Sequence, residues 1–189
     1  MSYPTSPAFS AINLQSESPT LFSETVSGRM QSRKIGGQKW AFTASYAPMT
    51  RAEFNPVFAF VVSQQGSNGI FTIVPTEISS TSGTASGTVS TSATAKGLAS
   101  VTVSGLTGAL KAGDVIKFSG HDKVYMLTAD RSGNGAMTFT PPLIEAVGTE
   151  TVTYDSVPFT VRLANDVQSY KLGAGMFFTY EVDLVEALS

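Results

Sequence analysis

Period-two alternation of apolar and polar residues recurs along the chain and predicts a mainly β protein. In WAFTASY (40–46), one face carries Trp40, Phe42, Ala44 and Tyr46, and the other carries the smaller residues Ala41, Thr43 and Ser45. The same pattern returns in VPFTVRLAN (157–165) and in MFFTYEVDLVEAL (176–188). LFSETVSG (21–28) and GIFTIVP (69–75) also favour strands. These segments predict strands that each bury one face.

One segment has helical periodicity instead. In TRAEFNPVFAFVVSQQG (50–66), Thr50 and Glu53 form a capping-box pattern. The apolar residues that follow are spaced as one helical stripe: Phe54, Val57, Phe58, Val61 and Val62. Pro56 lies beyond the first turn, so either a kink or a later start of the helix is compatible with the pattern.

The middle of the chain differs in composition. Residues 79–100 contain one charged residue, Lys96, and no aromatic residue, which is compatible with a linker but also with thin strands, because β-branched residues alternate there. A run of short strands separated by turn residues follows: ASVTVSG, DVIKFSG, KVYMLTAD, AMTFTPP and ETVTYD. The thin-strand interpretation is favoured, and the run predicts a small antiparallel barrel.

These changes in composition along the chain predict three regions. Residues 1–20 are rich in Ser, Pro and Thr, and we expect an extended N-terminal arm that becomes ordered only in an assembly. Residues 21–78 and 156–189 are rich in aromatic residues and predict one domain. Residues 79–155 predict a second module, the barrel, inserted into that domain.

Composition and charge exclude several classes of function. The formal net charge is −2, and residues 79–155 carry five basic and six acidic residues, so no cationic groove for nucleic acid is indicated. The chain has no cysteine and one histidine, which excludes disulfides and thiolate or His-rich metal sites. No apolar run of membrane-spanning length and no secretion signal is found. We therefore expect no cofactor, no metal and no membrane partner.

The candidates for chemistry are weak. His121 and Asp122 are adjacent, so on a strand they would point to opposite sides, and they fall at a predicted hairpin turn between two short strands. RSGNGAM (131–137) precedes a strand rather than a helix, which favours a hairpin loop over a phosphate site. Glu181 and Asp183 share one strand face, and a solvated or subunit-facing surface is favoured over metal binding. No catalytic residue is predicted.

A basic segment is the strongest candidate for an interface. The predicted loop 29–38 and the residue after it carry Arg29, Arg33, Lys34 and Lys39 with no acidic residue between them. Glu181, Asp183 and Glu186 supply acidic groups near the C-terminus. We expect the basic segment to contact an acidic face of a neighbouring subunit or the next ring, and a solvated loop is the alternative.

Four segments together resemble the distal tail proteins of long-tailed bacteriophages. They are KIGGQKWAFTASYAPMTRAEFNPVFAF, KAGDVIKFSGHDKVYMLTAD, VPFTVRLANDVQSY and FFTYEVDLVEAL, and the resemblance covers nearly all the chain after residue 20. It implies a non-enzymatic ring protein, typically hexameric, whose ring domain is a β-barrel or sandwich with a helix packed on it. Some family members carry an inserted OB-like barrel, which is similar to the split predicted here.

The resemblance also implies partners and a location. A ring of this kind lies at the distal end of the tail in the virion, with the tail tube protein on one side and the tip or baseplate hub protein on the other, after assembly in the host cytoplasm. Two alternatives stay open from the sequence. One is a major tail tube protein, which also forms hexameric rings, and the other is a carbohydrate-binding accessory module.

Overall fold

The computed structural model describes residues 2–35 and 37–188, and their regular structure is mainly β-strand. The helices are α1 (Arg51–Ser63) and the single turn α2 (Thr76–Ser79). The first strands are β1 (Ala11–Glu17), β2 (Thr20–Glu24), β3 (Met30–Lys34), β4 (Lys39–Ser45) and β5 (Ile70–Ile73). The middle strands are β6 (Val89–Thr91), β7 (Ser100–Ser104), β8 (Ala109–Leu110), β9 (Val115–Phe118), β10 (Val124–Leu127), β11 (Arg131–Ser132), β12 (Gly135–Thr140) and β13 (Thr151–Thr153). The last are β14 (Phe159–Leu163), β15 (Tyr170–Leu172) and β16 (Phe178–Glu186). The predicted class, mainly β with one main helix, is confirmed.

The chain divides into two compact units. The sheet unit comprises Pro4–Gly69 and Arg162–Glu186. The barrel unit is built on Ile70–Val161, with short pieces from both ends of the chain. Its limits are wider than the predicted insert 79–155, because β5 and the N-terminal part of β14 belong to it. The six strands of the closed barrel, which are β6, β7, β9, β10, β12 and β13, lie within 79–155.

The sheet unit is built on antiparallel strands with one buried face. β4 lies between β1 and β16, and β15 pairs with the N-terminal part of β16. Phe42 is the central residue, because it lies opposite Leu14 on one side and Leu184 on the other. The alternation predicted from the sequence is present in the burial of β4: Trp40, Phe42 and Ala44 are buried, whereas Ala41, Thr43 and Ser45 are half-buried. Burial of these rings stabilises the sheet by removing apolar surface from water.

Helix α1 begins where the capping box predicts. The backbone N–H and the hydroxyl of Thr50 both donate to the Glu53 carboxylate, at 2.9 and 2.8 Å. Pro56 lies within the helix, so the later start is excluded. The buried stripe is narrower than predicted: Phe54, Val57 and Val61 are buried, Phe58 is half-buried and Val62 is exposed.

The expectation of an extended arm over residues 1–20 differs from the structure. Tyr3 is buried in the barrel unit, where its N–H donates to the Thr72 carbonyl at 2.9 Å and its ring stacks on Phe71. In the sheet unit, all seven residues of β1 pair with β4. Because Ile12 and Leu14 alternate with polar residues and are half-buried, this segment has enough apolar surface to join the sheet.

The barrel unit contains a closed antiparallel barrel of six strands. Their order is β10–β12–β7–β6–β13–β9, and β9 pairs with β10 to close it. The predicted small antiparallel barrel is therefore confirmed, and the segment 79–100 contributes β6 and the start of β7 rather than a linker. Phe118, Tyr125 and Phe139 form the aromatic centre of the barrel core, with ring centroids 5.2 to 5.7 Å apart.

Candidate interface surfaces

An exposed β-hairpin extends from the sheet unit. β2 pairs with β3 from Thr20 opposite Lys34 to Glu24 opposite Met30, and every residue from 18 to 35 is exposed. The turn is closed by the N–H of Thr25, which donates to the carbonyl of Arg29 at 2.9 Å. We call residues 18–35 the hairpin arm.

The predicted loop 29–38 was wrong over part of its length, because Met30–Lys34 is a strand. Strand alternation is a signal of one buried face, and MQSRK buries neither face within the chain. Among the described residues, β3 pairs with β2 and with no other strand, and β2 begins three residues after Glu17, the last residue of β1. At a rise of roughly 3.3 Å per residue, the arm is about 25 Å long.

The four basic residues do not form a single patch. Arg33 lies opposite Leu21, whereas Lys34 lies opposite Thr20, so their side chains project from opposite faces of the arm. Arg29 closes the turn, and Lys39 begins β4 at the base of the arm. Within residues 2–35 and 37–188, none of the four forms an ion pair. Their charges are therefore free to meet an external partner.

Large apolar side chains accompany these cations. Phe22 and Met30 are 67% and 70% exposed, and they belong to the same face of the arm as Lys34. Leu21, on the Arg33 face, is also exposed. Apolar residues clustered on a narrow element commonly mark a contact surface.

The predicted acidic residues lie on the outward face of the sheet. Glu181 is exposed on β16, in the row that pairs with Ser45. Asp183 is half-buried, because its carboxylate accepts hydrogen bonds from the Thr43 hydroxyl at 2.9 Å and from the Asn165 amide at 3.2 Å. The structure thus orients Asp183 within its own chain and leaves Glu181 turned to solvent.

Glu186, a third acidic residue of this segment, is not on the surface. It is 1% exposed, and its carboxylate accepts a hydrogen bond from the backbone N–H of Trp40 at 3.1 Å. A charged group on the buried side of an alternating strand has no signal in the local sequence, because its partner is a backbone group far away along the chain.

A shallow trough crosses this outward face. Its floor is formed by the small, half-buried β4 side chains Ala41, Thr43 and Ser45. A groove of about 340 Å³ lies over part of it, between Glu17 on β1 and Asp183 on β16. We call the outward residues of these three strands the sheet trough; they include Gln15, Glu17, Ala41, Thr43, Ser45, Glu181 and Asp183.

His121 has a structural role that its sequence context does not predict. It is only 6% exposed, and its Nδ1 lies 3.2 Å from the hydroxyl of Tyr125. Asp122 accepts a hydrogen bond from the hydroxyl of Thr160 at 3.3 Å, so these hydrogen bonds of the two neighbouring residues lead to different partners. Lys123, the next residue, has no solvent exposure. The turn is therefore packed into the barrel unit rather than solvated.

The Gly-x-Gly segment, which the sequence analysis weighed as a phosphate site, is part of the fold. The Gly-x-Gly of residues 133–135 leads from the end of β11 into the first residue of β12, and there the Arg131 guanidinium donates to the carbonyls of Gly133 and Asn134. In the part of the chain that the structure describes, no three His, Asp or Glu residues are grouped to hold a metal ion. Over the same residues, no helix has the length and apolar character needed to cross a membrane.

The fold and the arm define a class: a β-rich structural module with surfaces suited to protein contacts. Comparison with known families identifies the family within this class: the family model of distal tail protein pb9, B domain, matches residues 63–157. The match spans half of the chain and includes every strand of the closed barrel. The chain belongs to this family, and its role is that of a structural protein of the phage tail. No curated protein matches the chain.

Proposed function

We propose that the chain assembles into a hexameric ring that joins the tail tube to the tip or baseplate hub at the distal end of the tail. The family match supports a tail protein, and the hairpin arm is the observation that carries the ring. An arm exposed on both faces, with three cations against one carboxylate, Glu24, is suited to contact a neighbouring chain. The tube protein and the hub protein are the partners above and below.

The energetics of the arm favour association. Full burial of a side chain such as Phe22 contributes about 1.5–3 kcal/mol relative to exposure. Ordering a flexible segment costs about 1–2 kcal/mol per residue, but β2 and β3 are already paired in the single chain. Contact with a neighbour therefore gains apolar burial without most of the ordering cost.

In this proposal the two parts of the chain have different roles. Residues 21–78 and 156–189 form the hub domain that makes the ring, and residues 79–155 are the inserted barrel, similar to an OB-fold, that accompanies it. The role is architectural and non-enzymatic, with neither cofactor nor catalytic residue. Arg29, Arg33, Lys34 and Lys39 supply one side of the subunit contact, and Glu181 and Asp183 supply the other.

Charge reversal in the arm tests the ring. The double variant Arg33→Glu with Lys34→Glu places two carboxylates where the contact requires cations, so we expect the assembled mass to fall toward 19.8 kDa, the mass of one chain. Multi-angle light scattering of the full chain measures this mass. Lys96→Glu, a reversal at an exposed position outside the arm, is the matched control and is expected to leave the mass unchanged. An oligomer of unaltered mass in the double variant would contradict the proposed contact.

A further inference from the structure

The barrel unit carries an open groove of about 520 Å³, formed by the segment before β6 and by the C-terminal end of β13. We propose that this groove binds a neutral saccharide, which adds a binding activity to the structural role of the chain. Its volume falls in the range of roughly 300–1,000 Å³ that is usual for small-ligand sites. We call it the barrel groove; it is lined by Thr81, Ala85, Ser86, Gly87, Val152, Thr153, Tyr154 and Asp155.

The apolar part of the barrel groove contains a fixed aromatic ring. Ala85 and Tyr154 are partly buried and pack against the barrel core, and Val152 is buried. The hydroxyl of Tyr154 donates to the carbonyl of Gly87 at 2.7 Å, so the ring is held in place before any ligand arrives. Such a ring offers a flat apolar surface to the C–H groups of a sugar, and its ordering cost is already met within the chain.

Unused hydrogen-bonding groups lie beside this ring. Among the described residues, the hydroxyls of Ser86 and Thr153 and the carboxylate of Asp155 have no hydrogen-bond or ion partner. A hydroxyl both donates and accepts, and a carboxylate accepts through two oxygens. Neighbouring hydroxyls of a sugar can therefore donate to both oxygens of Asp155 while their own oxygens accept from the protein hydroxyls. The combination of an aromatic ring, a carboxylate and hydroxyls matches the alternating apolar and polar surfaces of a saccharide.

The backbone around the barrel groove is already hydrogen-bonded. The N–H of Ser86 donates to the Thr107 carbonyl at 2.9 Å, and the Ser86 carbonyl accepts from the Thr107 N–H at 3.1 Å. The hydroxyl of Thr81 donates to the Asp114 carboxylate at 2.6 Å. A peptide that joined this segment as an added strand would need free backbone groups, which Ser86 does not offer. A ligand that uses side-chain groups is therefore favoured over an extended peptide.

The charge of the barrel groove selects against anions. Among the described residues that line it, Asp155 is the one charged side chain, and it is acidic. A nucleic acid or another polyanion needs cations along its path, and this lining supplies none. A neutral saccharide gains the hydrogen bonds of the carboxylate without electrostatic repulsion.

Binding of the full chain to immobilised glycans tests the proposal. The probes are neutral oligosaccharides of glucose, galactose, mannose and rhamnose, compared with heparin, single-stranded DNA and a lysine-rich peptide. We expect retention of a neutral oligosaccharide. For that oligosaccharide in solution, Asp155→Ala should bind about tenfold or more weakly, because the loss of a hydrogen bond to a charged group corresponds to at least that factor. Glu145→Ala, at an exposed carboxylate outside the groove, is the matched control and should bind as the wild type does.

Hydrogen exchange with and without the retained oligosaccharide locates the site, and we expect protection in peptides that contain residues 81–87 and 151–155. Four results would each overturn the inference: no neutral oligosaccharide is retained, an anionic probe or the peptide binds better, Asp155→Ala binds as tightly as the wild type, or protection is confined to other peptides. None of these measurements depends on the assembled mass. The barrel groove and the proposed ring are therefore tested separately.

Discussion

Asp114 connects two loops of the barrel unit through hydrogen bonds to its carboxylate. Its replacement tests how much these hydrogen bonds contribute to the stability of that unit. Asp114 is 4% exposed. Its carboxylate accepts four hydrogen bonds, from the Thr81 hydroxyl at 2.6 Å, the Ser82 hydroxyl and N–H at 2.7 and 2.9 Å, and the Lys111 N–H at 2.9 Å. Burial pushes the pKa of Asp114 upward, but these hydrogen bonds outweigh it and hold the pKa below its ordinary value.

The expected magnitude follows from these contacts. In Asp114→Asn the shape is kept, but the charge is lost and one acceptor oxygen becomes a donor that faces another donor. A hydrogen bond to a charged group contributes about 1.5–3 kcal/mol, and the four are not additive because Ser82 and Lys111 are exposed and can bind water. We expect the variant to lose about 2–3 kcal/mol of the free energy of unfolding at neutral pH, by the same estimate.

The same carboxylate predicts a pH dependence. Because its folded pKa is lowered, its stabilising effect is present above the unfolded value of about 3.9 and is lost as the pH falls through the folded pKa. The difference between the wild type and Asp114→Asn should therefore be constant from pH 7 to about pH 5 and should shrink below pH 4.

Hydrogen exchange in urea, read by mass spectrometry on peptides of β9 and β10, measures the stability of the barrel unit. Asp155→Asn, at an exposed carboxylate of the same unit, is the control and should leave the exchange unchanged. Equal stability of Asp114→Asn and the wild type at neutral pH, or a difference between them that grows as the pH falls below 4, would refute the reasoning.

Two further substitutions probe the barrel unit, both measured by urea unfolding. Phe118→Ala removes a ring from the centre of the core and should cost about 3–5 kcal/mol; a loss below 1 kcal/mol would contradict that placement. At Gly83 an added Cβ would lie 2.0 Å from the carbonyl oxygen of Ala109, so Gly83→Ala should cost about 1–3 kcal/mol. Gly148→Ala meets no atom within 4 Å and should be neutral, so equal effects at the two glycines would argue against the close approach.

The elements with a buried face were predictable from the sequence. The strand read over residues 40–46 is Lys39–Ser45 in the structure, because a single buried face imposes period-two alternation on it. Helix α1 could also be predicted from the sequence, because Thr50 and Glu53 determine where it starts and the apolar stripe determines its buried side. In both cases local pattern and tertiary burial agree.

The hairpin arm was predictable only in part. Leu21 and Phe22 indicated a strand, but Met30–Lys34 buries nothing within the chain, so no alternation marks it. The basic residues of the candidate interface were identified by charge alone, and their separation onto two faces depends on the register with β2. Register is set by the paired strands together and is not encoded in either strand by itself.

The burial of individual polar residues could not be predicted from the sequence either. His121 lies at the predicted turn, yet it packs against Tyr125 and Phe118 inside the barrel unit. Glu186 is buried because a backbone N–H from β4 satisfies its carboxylate. The partner of Glu186 is known only when β4 and β16 are brought together. The contacts of His121 are close in sequence but form only when β9 and β10 pair around the turn, so residue type and spacing alone favoured solvent exposure.

Electron microscopy of the phage particle that carries this chain, labelled by an antibody against the barrel unit, tests the central claim most directly. The account predicts one labelled ring at the distal end of the tail tube, between the tube and the tip. Label repeated along the length of the tube, or absent from the tail, would contradict it.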